Sequence, residues 1–150
     1  MGLFSFDDLQ KMDRSTLGED VPLELFRAIR LIGINQGLPM EGKTTTLTIG
    51  RKIGDSLPVE TIEELFATYE GLKIGIPTLL EKTEDHLLIK VEDCFCKGLP
   101  VTEGKMVCDL EGAILEGGLA KILQRNLSVY EIKCNINGDD HCEYMVRIFD

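Results

Sequence analysis

The spacing of apolar residues predicts three helices in the first half of the chain. Residues 22–35 place apolar side chains on one face, and residues 45–57 form a second helical stretch in which Gly50 and Gly54 lie one turn apart. Residues 59–71 have the clearest pattern, because an apolar stripe runs beside a row of glutamates. The stripe consists of Ile62, Leu65, Phe66 and Tyr69.

The pattern changes to alternation in the second half of the chain, which indicates strands. Residues 72–83 and 86–94 read as two strands, and residues 127–136 and 142–149 read as two more. Residues 106–124 form a long helix between the two pairs. The order is therefore α-α-α-β-β-α-β-β, which predicts an α+β fold with a four-stranded antiparallel sheet packed with helices.

Composition narrows the class of protein. A chain of 150 residues with 43% hydrophobic content predicts one domain over residues 1–150, with residues 1–20 as an N-terminal arm. The net charge of −10 disfavours nucleic acid as a partner, because phosphate backbones attract basic surfaces. No apolar run approaches the roughly 20 residues of a membrane span, and no leader pattern is visible, so we expect a cytoplasmic protein.

Cysteine usage points to a metal rather than to disulfides. The five cysteines are an odd number, which fits reduced thiols. Three of them combine with one glutamate in the spacing C-x22-E-x2-C-x7-C, formed by Cys108, Glu131, Cys134 and Cys142. Thiolates and a carboxylate are ligands that zinc accepts, and four of them fill a closed, structural shell.

The hairpin of residues 127–149 suggests how two of these thiols meet. If Cys134 faces Cys142, then Lys133 faces Glu143 as a charge pair. The same register sets two apolar pairs opposite each other, Ile132 with Tyr144 and Tyr130 with Val146.

The fourth ligand of this site is open at the level of sequence. Glu131 points away from Cys134 in a regular strand, so a β-bulge would be needed to bring it in. A two-residue type I′ turn at Asn137 and Gly138 would instead set His141 opposite Cys134 and make His141 the ligand.

Buried thiols also have an interpretation without metal, because free cysteine packs as a small hydrophobic residue. Cys94 and Cys96 lie two apart, on one face if their strand continues, and rank second as metal ligands behind a role as core or pocket thiols. Gly112, Gly117 and Gly118 weaken the helix of residues 106–124, which indicates either tight packing or a cavity above them.

A nucleotide-binding motif occurs in a poor context. Residues 37–44 satisfy the Walker A pattern GxxxxGK[ST], with Lys43 as the phosphate-binding lysine. A phosphate-binding loop follows a buried strand, whereas the preceding residues 26–31 read as helix. We therefore interpret Lys43 as a solvated loop residue.

The last fifty residues also resemble the 4-vinyl reductase domain family, through a cysteine before a Gly-rich helix and then ExxC and GDxxC. That family includes effector-sensing domains of aromatic-responsive bacterial activators and small proteins labelled hydrocarbon-binding. In the sensors a zinc ion is held by cysteine, by the Glu and Cys of ExxC, and by one further cysteine. The resemblance therefore implies zinc at Cys108, Glu131, Cys134 and Cys142.

The resemblance further implies a fold related to TRAPP subunits and to haem nitric-oxide-binding domains. It suggests a non-catalytic domain that senses or carries a small apolar, hydrocarbon or aromatic ligand, forms a homodimer and signals to a separate partner. The alternatives are a reductase acting on a vinyl or unsaturated group of a tetrapyrrole-type substrate, and a TRAPP-like assembly module. Four aromatic residues are candidates to line the ligand pocket: Phe66, Tyr69, Phe95 and Tyr130.

Overall fold

The computed structural model describes residues 2–149, which form one antiparallel sheet and five α-helices. The four strands lie in the order β1-β2-β4-β3. This is the α+β architecture that the sequence predicts, with the predicted succession of three main helices, two strands, a helix and two strands. The helices are α1 (Phe6–Leu9), α2 (Leu23–Arg27), α3 (Lys43–Ser56), α4 (Ile62–Gly71) and α5 (Asp109–Leu123); the strands are β1 (Ile76–Lys82), β2 (His86–Glu92), β3 (Asn126–Lys133) and β4 (Cys142–Phe149).

Local signals set the ends of the helices. Helix α4 begins after Thr61, whose hydroxyl accepts from the backbone N–H of Glu64 while the Glu64 carboxylate accepts from the backbone of Thr61. Helix α5 begins at Asp109, so Cys108 occupies the capping position, and it ends before Gln124 in a left-handed conformation. The predicted helix over residues 106–124 therefore starts too early, which leaves Cys108 free to turn toward the sheet.

The first long helix changes type and buries a charge. Helix α2 continues as a π-helix over Ala28–Ile34, and Arg30 in this segment is 2% exposed. Its guanidinium donates to both carboxylate oxygens of Glu111, at 2.8 and 2.7 Å, and to the carbonyl of Val107 at 2.7 Å. This ion pair joins the helix to the start of α5. Both charges are buried away from water, so each is stable there only while the other is present to compensate it.

Helices α3 and α5 approach each other through glycines. A Cβ at Gly54 would lie 2.1 Å from the carbonyl oxygen of Ile114, and one at Gly117 would lie 2.2 Å from that of Arg51. Backbone therefore fills the space that side chains would take. Gly50 and Gly54 are therefore packed closely against α5, and at Gly117 the compensation is packing rather than a cavity.

The β3–β4 pair contains a β-bulge. Lys133 lies opposite Glu143 as predicted, but Glu131 lies opposite Tyr144, and the register shifts between Glu131 and Lys133. The predicted pairs Ile132 with Tyr144 and Tyr130 with Val146 are wrong, because the bulge takes up one residue of β3. The structure places Tyr130 opposite Met145 instead.

The Walker-like segment lacks the strand that a phosphate-binding loop requires. Residues 28–34 before it are helical, and Met40, Glu41 and Gly42 all have positive φ angles. Lys43 begins α3, and its ammonium donates to the carbonyl of Met106 at 3.1 Å, so it supports the segment before Cys108. No helix within residues 2–149 is long and apolar enough to cross a membrane.

Candidate metal centre

Five buried cysteines converge at one end of the sheet. The turn after β2 carries Cys94 and Cys96, the start of β4 carries Cys142, and the residue after β3 is Cys134. Cys108 joins them from the start of α5. Because β2 and β3 both pair antiparallel with β4, the last residues of β2 and β3 and the first residues of β4 meet at the same end of the sheet.

The sulfur atom of Cys108 lies within contact distance of the other four. The Sγ of Cys108 is 3.4 Å from that of Cys94, 3.2 Å from that of Cys96, 3.7 Å from that of Cys134 and 3.6 Å from that of Cys142. The Sγ of Cys96 lies 3.9 Å from that of Cys134 and 3.7 Å from that of Cys142. Such a group of thiols could hold a metal ion.

Two groups of four possible ligands share two members. One consists of Cys94, Cys96, Cys108 and Cys142. The other is the set predicted from the sequence, Cys108, Glu131, Cys134 and Cys142. Within each group the ligand atoms lie within 4.8 Å of one another, so the donor chemistry and the spacing both fit a metal ion such as zinc.

The bulge in β3 accounts for the position of Glu131. A regular strand would turn this side chain away from Cys134, and the register shift between Glu131 and Lys133 turns it inward. Its Oε2 accepts a hydrogen bond from the backbone N–H of Cys108 at 3.0 Å. The carboxylate therefore caps the start of α5 from the strand opposite.

The electrostatics of the cluster follow from burial and crowding. Burial raises the pKa of Glu131 to about 9, and the nearby thiolate of Cys134 acts in the same direction. A hydrogen bond from Cys108 lowers the pKa of Cys134 to about 6, and one from Cys108 also lowers the pKa of Cys96. The hydrogen bond with Cys134 in turn raises the pKa of Cys108, so the protons are divided unequally among these thiols, and the deprotonated thiolate is the form that binds metal.

His141 lies outside both groups of possible ligands. Its Nε2 is 2.8 Å from a carboxylate oxygen of Glu143. The two-residue turn that would direct His141 inward does not form, because Asn135–Asn137 make a short 3-10 helix that ends at Gly138. The backbone N–H of Cys134 is instead bound by the carboxylate of Asp139 at 2.9 Å.

The turn that carries Cys94 and Cys96 is held in place by hydrogen bonds from helix α2. Arg27 donates to the carbonyls of Phe95 at 2.7 Å and Lys97 at 2.8 Å. The ring of Phe95 is 2% exposed and meets the ring of Phe26 edge to face, with centroids 5.2 Å apart. Sequence reasoning gave no role to Arg27, since the contact joins residues 68 positions apart.

The four aromatic residues proposed as pocket lining are not brought together. Tyr69 and Phe95 are buried in the core, where the Tyr69 hydroxyl donates to the carbonyl of Glu111. Phe66 packs against that core, and Tyr130 is 49% exposed on β3. A cavity of about 300 Å³ does lie beside the cysteine cluster, between Val107 and Ile136. The residues around it are Asn35, Glu41, Thr102, Lys105, Val107 and Ile136.

Comparison with known proteins identifies the family. The sequence pattern of the 4-vinyl reductase domain matches residues 87–148. The uncharacterized protein MJ0150 of Methanocaldococcus jannaschii is 31% identical over 142 residues, covering 90% of this chain and 80% of that protein. The chain belongs to the 4-vinyl reductase domain family. The resemblance inferred from the residues is thereby confirmed.

Two solved structures share the fold of this 4-vinyl reductase domain. A vinyl-4-reductase family protein from Methanocaldococcus jannaschii has a TM-score of 0.67 at 23% identity, with 89% of this chain and 85% of that chain covered. The phenol-responsive sensory domain of the transcription activator PoxR, in complex with phenol, has a TM-score of 0.66 at 13% identity, with coverage of 85% and 75%. At these identities the likeness shows the fold.

Proposed function

We propose that this 4-vinyl reductase domain is a binding module that holds one zinc ion in its cysteine cluster and takes up a small apolar or aromatic molecule beside it. The observation that carries the proposal is the convergence of five buried thiols, contributed by four separate segments, at one end of the sheet. Cys108, Cys134 and Cys142 supply three ligands, and both Glu131 and Cys96 lie within reach of the fourth position.

A closed shell favours binding over chemistry. Four protein ligands leave no open position at which zinc could activate water, so the ion would serve to hold the ends of β3 and β4 against α5. The binding free energy of such an ion also stabilises the fold, since the unfolded chain offers no preformed site.

The cavity between Val107 and Ile136 supports the second half of the proposal. Two of its six lining residues are apolar and nearly buried, Val107 at 9% and Ile136 at 7% exposed, and the other four are polar, among them the ion pair of Glu41 and Lys105. This arrangement suits a small molecule with an apolar body and one polar group. Val107 adjoins Cys108 and Ile136 follows Cys134 by two residues, so a bound molecule would press on the segments that carry the metal ligands.

Metal content and one substitution test the zinc site. Untagged protein should contain one zinc per chain by elemental mass spectrometry. We expect Cys134→Ser to lose the ion and to unfold at a temperature lower by at least about 10 °C, because several kcal/mol are lost and each shifts the midpoint by roughly 2–4 °C in a chain of this size. Wild-type protein treated with a chelator should behave like the variant, whereas Cys94→Ser should keep its zinc. Unchanged metal content and stability in Cys134→Ser would refute the site.

Phenol is a suitable probe for the cavity. Titration of isotope-labelled protein with phenol should shift the amide signals of Val107 and Ile136. Thr102→Trp should weaken these shifts about tenfold or more, since the indole occupies the rim of a cavity of drug-fragment size. Val101→Trp is the matched control, because Val101 is 60% exposed and does not line the cavity. Shifts confined to another part of the domain would contradict this assignment.

Two further expectations and one alternative function stay predictions. The homodimer that the resemblance implies can be measured by sedimentation velocity at two concentrations. A cytoplasmic location suits a cluster of reduced thiols and can be tested by cell fractionation. A vinyl reductase activity would require a bound flavin or nicotinamide, which native mass spectrometry of protein from its source would detect.

A further inference from the structure

The thiol of Cys96 lies among the three cysteines of the proposed zinc site. Its Sγ is 3.2 Å from that of Cys108, 3.7 Å from that of Cys142 and 3.9 Å from that of Cys134. Cys108 is in turn 3.7 Å from Cys134 and 3.6 Å from Cys142, and the last pair, Cys134 and Cys142, lies within 4.8 Å. Four sulfurs around one zinc ion, with Zn–S bonds of about 2.3 Å, are separated by about 3.8 Å.

We infer that Cys96, rather than Glu131, is the fourth ligand, so that the ion has an all-thiolate shell of Cys96, Cys108, Cys134 and Cys142. The inference rests on the proposed zinc site and changes its chemistry. A shell of four cysteines is a common structural zinc site, and soft thiolates select thiophilic ions such as zinc over magnesium or calcium.

Glu131 has another role in this arrangement. Its Oε2 accepts from the backbone N–H of Cys108 at 3.0 Å, which satisfies a donor at the first turn of α5. In the proposed arrangement the carboxylate orients the backbone of Cys108, and the thiol of Cys96 takes the fourth position in the shell. Glu131 is a positioning residue for Cys108, and Cys96 contacts the ion.

Cys94 fits the shell less well than Cys96 does. Its Sγ contacts that of Cys108 at 3.4 Å, but Cys94 is grouped with Cys96, Cys108 and Cys142 and not with Cys134, whereas the Sγ of Cys96 also lies 3.9 Å from that of Cys134. A shell that contained Cys94 would therefore lack the thiol of Cys134, which the β3–β4 hairpin already brings to the site. Cys94 is left as a buried thiol next to the shell.

The protein fixes Cys96 independently of a metal ion. Arg27 binds the carbonyls on both sides of Cys96, those of Phe95 and Lys97. The backbone N–H of Leu99 donates to the carbonyl of Cys96 at 3.3 Å, and Cys96 itself is fully buried. A turn held in this way keeps its thiol next to the other three before any ion binds. Such preorganisation is typical of tight metal sites.

X-ray absorption at the zinc edge counts the sulfur ligands directly. The zinc-loaded wild-type domain should give four sulfur neighbours, and Cys96→Ser should give three sulfurs and one lighter atom. Glu131→Gln should keep four sulfurs, as should Cys94→Ser, which is the matched control for removal of a buried thiol. Zinc affinity should fall in Cys96→Ser by more than the roughly 10–100-fold that loss of an outer-shell partner costs, and in Glu131→Gln by no more than that range.

The outcomes separate this inference from the proposed function. Three sulfurs and one oxygen in the wild type, with a shell altered in Glu131→Gln, would leave the zinc site intact and overturn the role of Cys96. A shell altered in Cys94→Ser but not in Cys96→Ser would also overturn it. Wild-type protein that binds no zinc at all would refute the proposed site itself. If Cys96→Ser fails to fold, the wild-type, Glu131→Gln and Cys94→Ser spectra decide the question, because four sulfurs in all three leave only Cys96, Cys108, Cys134 and Cys142 to supply them.

Discussion

At the scale of single residues, Arg30 is the side chain on which we expect the stability of the fold to depend most clearly. It is buried beside the cysteine cluster, and its partner Glu111 is fully buried as well. Burial raises the pKa of Glu111, while the hydrogen bonds from Arg30 oppose that rise. The direct contacts at 2.7 and 2.8 Å keep the two groups paired, so that removing either one leaves the other uncompensated.

We therefore expect Arg30→Met to lower the free energy of unfolding by about 3–5 kcal/mol, because it leaves a buried carboxylate without a partner. Urea denaturation measures the change. The double variant Arg30→Met with Glu111→Leu should recover much of the loss, since both charges are then gone. Arg147→Met, at an exposed position on β4, is the control. A loss in Arg30→Met no larger than in this control would contradict the importance of the pair.

The bulge at Ile132 shows that one extra residue in a strand can change which side chains enter a site. Sequence alternation alone directs Glu131 away from Cys134, and only the inserted residue turns it toward the start of α5. The sequence indicated that a bulge would be needed but contained no glycine or other signal to locate it. At the bulge Glu131 pairs with Tyr144 and accepts from the backbone of Cys108, and such contacts between β3, β4 and α5 are not contained in local sequence patterns.

At the scale of elements, helices α3 and α5 pack backbone against backbone. Three glycines on the two helices have no space for a Cβ, because each faces the backbone or a short side chain of the partner helix. Glycine weakens an isolated helix by about 1 kcal/mol, so these positions are favourable only when the two helices are in contact. The three are Gly50, Gly54 and Gly117.

A substitution at one of these glycines tests the contact. Gly54→Ala would place a Cβ 2.1 Å from the carbonyl oxygen of Ile114, and we expect it to destabilise the domain by about 1–3 kcal/mol or more through overpacking. Gly71→Ala is the matched control, because nothing lies within 4 Å of a Cβ there and alanine favours the helix. Chemical denaturation of both variants gives the comparison, and equal stability would show that the helices can separate without cost.

At the scale of the whole molecule, the sequence predicted the type and order of the main elements because their periodicities differ clearly. The alternating stretches became β1 to β4, and the stripe of residues 59–71 became α4. What the sequence could not supply was the strand order β1-β2-β4-β3. That order brings the turn after β2 to the start of β4, and with it Cys96 to Cys142.

This explains why the candidate site was predicted only in part. Cys108, Glu131, Cys134 and Cys142 followed from spacing and from the family resemblance, and the structure brings their ligand atoms together. Cys96 ranked below them because its proximity to Cys134 depends on three elements that are distant in sequence. The sequence did show a cysteine pair directly after a predicted strand. Only the strand order shows which other cysteines this pair approaches.

The separation of the thiols along the chain also bears on how the domain reaches its folded state. Cys96 and Cys142 are 46 positions apart, and Cys96 and Cys108 are 12 apart. An ion bound to an incomplete chain would act as a cross-link that closes these loops early, and the entropy of loop closure grows only slowly with loop length. The amount of folded protein in a cell would then follow the supply of the metal during synthesis.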